Sequence, residues 1–358
     1  MSKAQPNPGE RYIIRELLGK GRWKEVHRAV VRGEWHDRAL ARFMEKPSAV
    51  QLLDEIKLTL KLGEKRRLEN VAQLYKVFKG DDGDIYLEEE LLYRPLESLA
   101  PLEIVDRFFS IARDLCHGLA SLHGVGKIHR DLKLDNCGID HSGSAKIFDL
   151  GNVTSEGGSV KGTTLSRAPE LFKAGAKCTK ASDVWAMGAV LFALRTGGDY
   201  PFVPRQEAKN RAQDGKARER FDKTVRGRAS DPKSEAELQV RIREEFPNGS
   251  GKLMSDMLQF SPDKRPSAAE CSKRWDILLR PYMPTQPSKK VDASETVFQD
   301  IVAYLKAVLT GTAGMSTLQS ERAVTAIERL ESKLDASKVA ELHRLRNKIA
   351  EMRQEAAV

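Results

Sequence analysis

Short apolar-rich stretches at Tyr12-Ile13-Ile14, from Val26 to Val31 and from Ala39 to Met44 predict strands, with Asp81-Asp82-Gly83 as a hairpin turn. Between them, Pro47 opens an amphipathic run that sets Leu52, Ile56 and Leu60 on one helical face. From about residue 101 the period lengthens. Ile104, Phe108, Ile111, Leu115, Leu119 and Leu122 fall at three- and four-residue steps and predict a long helix. Two short β-like stretches follow at Cys137–Ile139 and Lys146–Phe148. Then come an apolar helix from Asp183 to Leu194 and two helical stretches within Gly251–Arg280. Pro281, Pro284 and Pro287 punctuate a linker over 283–291. Beyond it, Val324, Ile327 and Leu334 fit one amphipathic face, and Leu342, Leu345, Ile349 and Met352 step at heptad spacing. The pattern is α+β: a small β-rich lobe over residues 10–92, a larger helical lobe over 93–282, and a C-terminal helical extension over 292–358.

Composition narrows the class. The chain has 358 residues, 40% apolar and 31% charged, enough to bury a sizeable core. No run of about 18 apolar residues suggests a membrane span, and Met1–Pro6 lacks the apolar stretch of a secretion signal. Cys116, Cys137, Cys178 and Cys271 lie far apart with no metal-like spacing, so reduced thiols in a cytoplasmic protein are expected. The net charge is +9, and nine basic residues against four acidic ones lie between Arg205 and Arg228. Phe221 is the sole aromatic there, whereas single-stranded nucleic-acid binders interleave aromatics with their cations, so no nucleic-acid partner is expected. The stretch from about 204 to 247 reads as a solvated, partly disordered insertion. The second reading is a docking surface for an acidic or phosphorylated partner. The heptad run in the tail is short but allows self-association.

The chemistry concentrates in three motifs. His129-Arg130-Asp131-Leu132-Lys133-Leu134-Asp135-Asn136 is followed thirteen residues after Asn136 by Asp149-Leu150-Gly151, and then by Ala168-Pro169-Glu170. Alone, each is a weak signal, and His129-Arg130-Asp131 by itself reads as a polar turn. Their order and spacing resemble the signature set of the eukaryotic-type serine/threonine protein kinases. Asp183-Val184-Trp185, Tyr200-Pro201-Phe202 and Asp263-Lys264-Arg265-Pro266 fall where that family has similar segments, so the resemblance covers roughly residues 10–280. It implies a bilobal kinase fold, ATP and Mg²⁺ as cofactors, and a protein substrate. It also implies Asp131 as the base at a substrate hydroxyl, Lys133 at the transferred phosphate, and Asn136 and Asp149 as metal ligands. Thr163 matches a threonine that contacts the catalytic aspartate, and Glu170 with Arg265 matches a buried ion pair. Arg130 matches a residue that in many relatives pairs with a phosphate on the activation segment.

The N-terminal part departs from the pattern. Its glycine loop reads Gly19-Lys20-Gly21-Arg22-Trp23-Lys24-Glu25-Val26, after Leu18, with Lys24 where a third glycine is usual. The strand that usually carries a nucleotide-binding lysine reads Ala39-Leu40-Ala41-Arg42, which puts Arg42 at the lysine position and Leu40 above the base, with Gly138 below it. An arginine does not replace that lysine conservatively. The with-no-lysine kinases supply a glycine-loop lysine instead, and Lys24-Glu25-Val26 with Asp149-Leu150-Gly151 is similar to their arrangement. On that resemblance Lys24 holds the phosphates and pairs with Glu55, at the edge of the buried stripe. The rival is a pseudokinase, a nucleotide-binding scaffold signalling through its helical tail. A small-molecule phosphotransferase is disfavoured by the Ala-Pro-Glu motif.

Overall fold

The computed structural model describes residues 11–20, 24–32, 37–43, 68–80, 82–209, 215–246 and 249–279, and in the tail 336–341, 343, 344 and 347. The chain divides into two units, Met1–Pro281 and Tyr282–Val358. The described residues of the second unit are helical. Its heptad positions Leu342, Leu345, Ile349 and Met352, and the amphipathic run at Leu52, Ile56 and Leu60, lie outside the described residues.

The first unit begins with an antiparallel sheet of β1 (Tyr12–Lys20), β2 (Lys24–Val31), β3 (Asp37–Phe43), β4 (Leu74–Lys79) and β5 (Ile85–Glu90), in the order β1-β2-β3-β5-β4. Side chains alternate between its two faces. On one face Leu40 is buried with Tyr12, Phe78 and Tyr86, whose rings stack at 5.5 and 5.4 Å. On the other, Ala41 and Phe43 pack with Val26, Leu74 and Leu87. The register sets Val26 opposite Ala41 and Glu25 opposite Arg42.

A short β6 (Arg94–Pro95) leads to α1 (Pro101–Gly124), which buries Phe108, Ile111, Leu115, Leu119 and Leu122, the stripe expected from spacing. Proline at its first turn costs no hydrogen bond, since that N–H has no partner in a helix. β7 (Lys127–Ile128), β8 (Cys137–Ile139) and β9 (Ala145–Ile147) follow, and β10 (Thr154–Ser155) pairs with β7. Helix α2 (Lys180–Arg195) is apolar nearly all round and buried from Ser182 to Leu194 save at Ala186, as a core helix must be. Thr179 and Ser182 close its N-terminus reciprocally as a capping box.

The basic insertion, expected to be solvated and partly disordered, carries helices. Among the described residues it is helical: α3 (Arg205–Lys209), α4 (Gly215–Ala229) and α5 (Pro232–Glu245). Val225, Ala229, Leu238 and Ile242 are buried and Phe221 packs against the core, so a sparse apolar stripe anchors a highly charged surface. Helices α6 (Ser250–Met257) and α7 (Ala268–Leu279) complete the lobe, with α7 against α1. No helix among the described residues is long and apolar enough to cross a membrane.

Candidate active site

The catalytic loop is shaped by one buried carboxylate. Asp183, on α2, accepts from the backbone N–H of His129 (2.6 Å) and of Arg130 (3.0 Å), and contacts His123 Nε2 at 3.1 Å. These bonds hold Arg130 at φ 68°, a left-handed conformation costing roughly 1–2 kcal/mol in a non-glycine residue. His129 Nε2 contacts the Phe148 carbonyl at 3.3 Å while Nδ1 receives the Asp131 N–H at 3.3 Å, joining the loop to the segment that leads from β9 to Asp149. Asp183→Ala is therefore expected to destabilise the domain by on the order of 3 kcal/mol, since it strands two buried N–H groups at about 1–3 kcal/mol each. Thermal unfolding and amide exchange over 129–136 check this; an unchanged melting temperature overturns it.

Asp131 is nearly buried. Its Oδ1 accepts the backbone N–H of Thr163 at 3.0 Å, so this threonine reaches the aspartate through its main chain. Oδ2 has Lys133 Nζ at 3.6 Å and the side-chain amides of Asn136 and Asn152 each at 3.5 Å. Asn136 Nδ2 donates to the Asp131 carbonyl at 2.8 Å, which leaves the amide oxygen as the end able to ligate a cation. At Gly162, φ +82°, an added Cβ would collide with the Arg130 carbonyl oxygen; the activation segment runs hard against the catalytic loop there. Arg130 itself donates to the carbonyls of Asn152 (2.6 Å) and Ser159 (3.2 Å).

Between sheet and helices lies a cleft of about 530 Å³. Leu18, Gly19, Lys24 and Val26 line it, with Ala39, Leu87, Leu92, Gly138 and Asp149. Lys24 Nζ reaches Asp149 Oδ1 at 3.0 Å. Burial alone would raise the Asp149 carboxyl; the Lys24 ammonium, helped by His129 and Lys133, overcomes it and holds the group below the usual carboxylate range. Asp149 also takes a left-handed backbone, φ 59°.

Two expected cleft residues are not there. Leu40 is buried on the opposite face of the sheet, and Arg42 points outward, its Nε 2.7 Å from Asp84 Oδ2 and its Nη1 3.7 Å from Glu25 Oε1. The alternation of β3 places Ala39 and Ala41 on the cleft side. A small alanine therefore does stand above the base position, and the strand offers no cation there. Below, Gly138 sits tightly against its neighbours: an added Cβ would lie 3.0 Å from the Arg94 carbonyl oxygen and 3.1 Å from Leu92 Cδ1. Gly21 and Glu55 lie outside the described residues.

Sequence reasoning missed Glu89 as a cleft residue. Glu88 turns to Tyr12 Oη (2.6 Å) and Arg38 Nε (3.2 Å), Glu90 pairs with Lys146, and Glu89 faces the cleft. Burial raises the Glu89 carboxyl; Lys24 opposes this and Asp149 adds to it. Glu90 also lines the cleft, but its carboxylate is taken by Lys146; three consecutive acids do not by themselves show which carboxylate faces the cleft.

The arrangement fits a magnesium nucleotide. Apolar walls suit a purine, Lys24 supplies a cation, and Asn136 with Asp149 supply two hard oxygen ligands. Among the described residues no group of three or more His, Cys, Asp or Glu forms a metal cage. Mg²⁺ needs none, since it binds through one or two protein oxygens plus phosphates and water.

Sheet lobe, helical lobe, and catalytic-loop and Asp-x-Gly carboxylates beside the cleft together define a bilobal α+β domain of the protein kinase class. Comparison with known proteins agrees: the family model of the protein kinase domain matches residues 12–275, and the chain belongs to that family. It is 30% identical over 274 residues to a probable serine/threonine-protein kinase of Dictyostelium discoideum, covering 71% of this chain and 15% of that protein. It is 31% identical to CBL-interacting protein kinase 25 of Oryza sativa subsp. japonica, over 52% of this chain and 40% of the relative. A calcium/calmodulin-dependent serine/threonine-protein kinase of Malus domestica is 30% identical, over 62% and 52% respectively. The chain thus spans about half or less of these relatives' lengths.

Proposed function

We infer that this chain is an active serine/threonine protein kinase, moving the γ-phosphoryl group of ATP to a protein hydroxyl in the cytoplasm. The observation that carries the reading is the Lys24–Asp149 pair at 3.0 Å in the cleft, with Asn136 and Lys133 set against Asp131 on the catalytic loop. ATP with Mg²⁺, when bound, supplies the phosphoryl group and neutralises its charge. Asp131, held by the Thr163 N–H, orients the acceptor hydroxyl and takes its proton. Lys133, beside it, meets the transferred phosphate. Asn136 and Asp149 would hold the metal, and Lys24 from β2, 3.0 Å from Asp149, would replace the strand lysine. The four cysteines, all buried free thiols, suit a reducing compartment. The lack of a cation on the cleft side of β3, where Ala39 and Ala41 stand, favours the rival reading of a nucleotide-binding scaffold. Phosphate transfer from labelled ATP and Mg²⁺ to a general protein substrate decides between them. The wild type is expected to transfer and Asp131→Ala to lose at least about 10²-fold of that rate; no transfer by the wild type leaves the scaffold.

A further inference from the structure

The helix α4 carries Arg218, Asp222 and Arg226 at four-residue steps, so the three share one face. That face is pinned to the activation segment, because Thr164 Oγ1 donates to Asp222 Oδ1 at 2.6 Å. The neighbouring Thr163 N–H reaches Asp131 at 3.0 Å. Arg167 follows on the same segment: its backbone N–H donates to the Thr164 carbonyl at 3.4 Å, Nη2 donates to the Gly162 carbonyl at 3.2 Å, and its guanidinium lies 5.4 Å from the Phe172 ring centroid. Arg218 and Arg226 are exposed and Arg167 is half-buried. Among the described residues none of the three makes an ion pair. Burial depresses the Arg167 pKa; Asp222 opposes, and Arg226 and Arg218 push the same way as burial. Asp222 is the one carboxylate among them and is engaged by Thr164.

Resting on the kinase reading above, we propose that this face of α4, with Arg167, binds an acidic stretch of the polypeptide substrate beside the hydroxyl presented to Asp131. Spacing favours a row of carboxylates over a single phosphate. At 1.5 Å per residue, Arg218 and Arg226 stand about 12 Å apart along the helix, with Asp222 between them. One phosphate needs donors that converge on it. An extended peptide rising about 3.3 Å per residue crosses the same distance in about four residues, so a short run of Asp or Glu matches the array.

Fluorescence anisotropy with the full chain tests this, using a labelled peptide with one serine and a run of about four glutamates on either side of it. Matched peptides carry glutamine, lysine, or a single phosphoserine in place of the run. In low salt the glutamate peptide is expected to bind at least about tenfold more tightly than the glutamine peptide, and to lose about that factor in 0.5 M salt. Arg218→Glu/Arg226→Glu, on the exposed face, is expected to abolish the preference and favour the lysine peptide. Equal binding of glutamate and glutamine peptides, an unchanged preference in the double variant, or equally tight binding of the phosphoserine peptide overturns the proposal. A parallel transfer assay separates the two readings. Binding of the acidic peptide without transfer to any peptide defeats the kinase reading alone. Equal transfer to glutamate and lysine peptides defeats the acidic docking surface alone.

Discussion

Lys24→Met is expected to lower phosphate transfer from ATP by roughly 10²–10³-fold, the usual cost of removing one preorganised charge-stabilising group. Arg42→Met is expected to leave the rate within a factor of about three, because the pairs it loses are exposed ones worth at most ~1 kcal/mol. The contrast follows from strand geometry. Lys24 and Val26 share the cleft face of β2, and Lys24 Nζ lies 3.0 Å from the metal-ligand candidate Asp149. Arg42 stands on the opposite face of β3, tied to Asp84 and Glu25. Its guanidinium can reach the cleft only if β3 slips by one residue. That slip would also drive buried Leu40 into the nucleotide site and break the register that sets Val26 opposite Ala41. Transfer rates of the two variants, with melting curves to show that both are folded, check this. An inactive Arg42→Met beside an active Lys24→Met would sink the assignment of the phosphate-binding cation.

The same pair of residues shows what was legible in the chain and what was not. The three C-lobe motifs could be read because phosphoryl transfer demands particular residue types in a fixed order, and a helix of 24 residues leaves a clear stripe of three- and four-residue steps. The face of a short strand is harder. Ala39-Leu40-Ala41 has no polar contrast to show which side is inward, and an arginine beside it looks like a lysine replacement until alternation is known. In the acidic run, the partners that hold Glu88 out of the cleft and tie Glu90 down at its edge lie 50, 76 and 56 residues distant in sequence (Arg38, Tyr12 and Lys146). No local pattern contains them. The insertion misled for a different reason: Phe221, Val225 and Ala229 form a stripe, but one so sparse among lysines and arginines that charge density hid it.

Glu170→Ala is expected to destabilise the domain by about 3–5 kcal/mol, the range for breaking a buried ion pair from one side. For a domain of this size that is a fall in melting temperature on the order of 10 °C. Arg265 has a fully buried side chain, and all five of its N–H donors are engaged. Nη1 and Nη2 each meet a Glu170 oxygen at 2.7 Å, while Nε takes the Gln259 carbonyl at 2.7 Å. The remaining two donors go to the carbonyls of Ala181 (3.0 Å) and Phe260 (3.2 Å), and the guanidinium lies 5.1 Å from the centroid of a Trp185 ring. Without Glu170 the cation keeps three neutral acceptors, cannot lose its proton, and cannot reach water without unpacking Trp185. Glu170→Gln should cost less than Glu170→Ala, because its amide oxygen still accepts one bond and its volume is kept. A double variant replacing both residues with leucine should remain less stable than wild type. Removing the charge pair can be nearly neutral in energy, but Arg265 also ties the start of α2 to the 259–260 turn, and leucine leaves three carbonyls there without their donor. Calorimetric melting of the three variants orders them; a Glu170→Ala domain that melts with the wild type would show that this pair contributes no net stability.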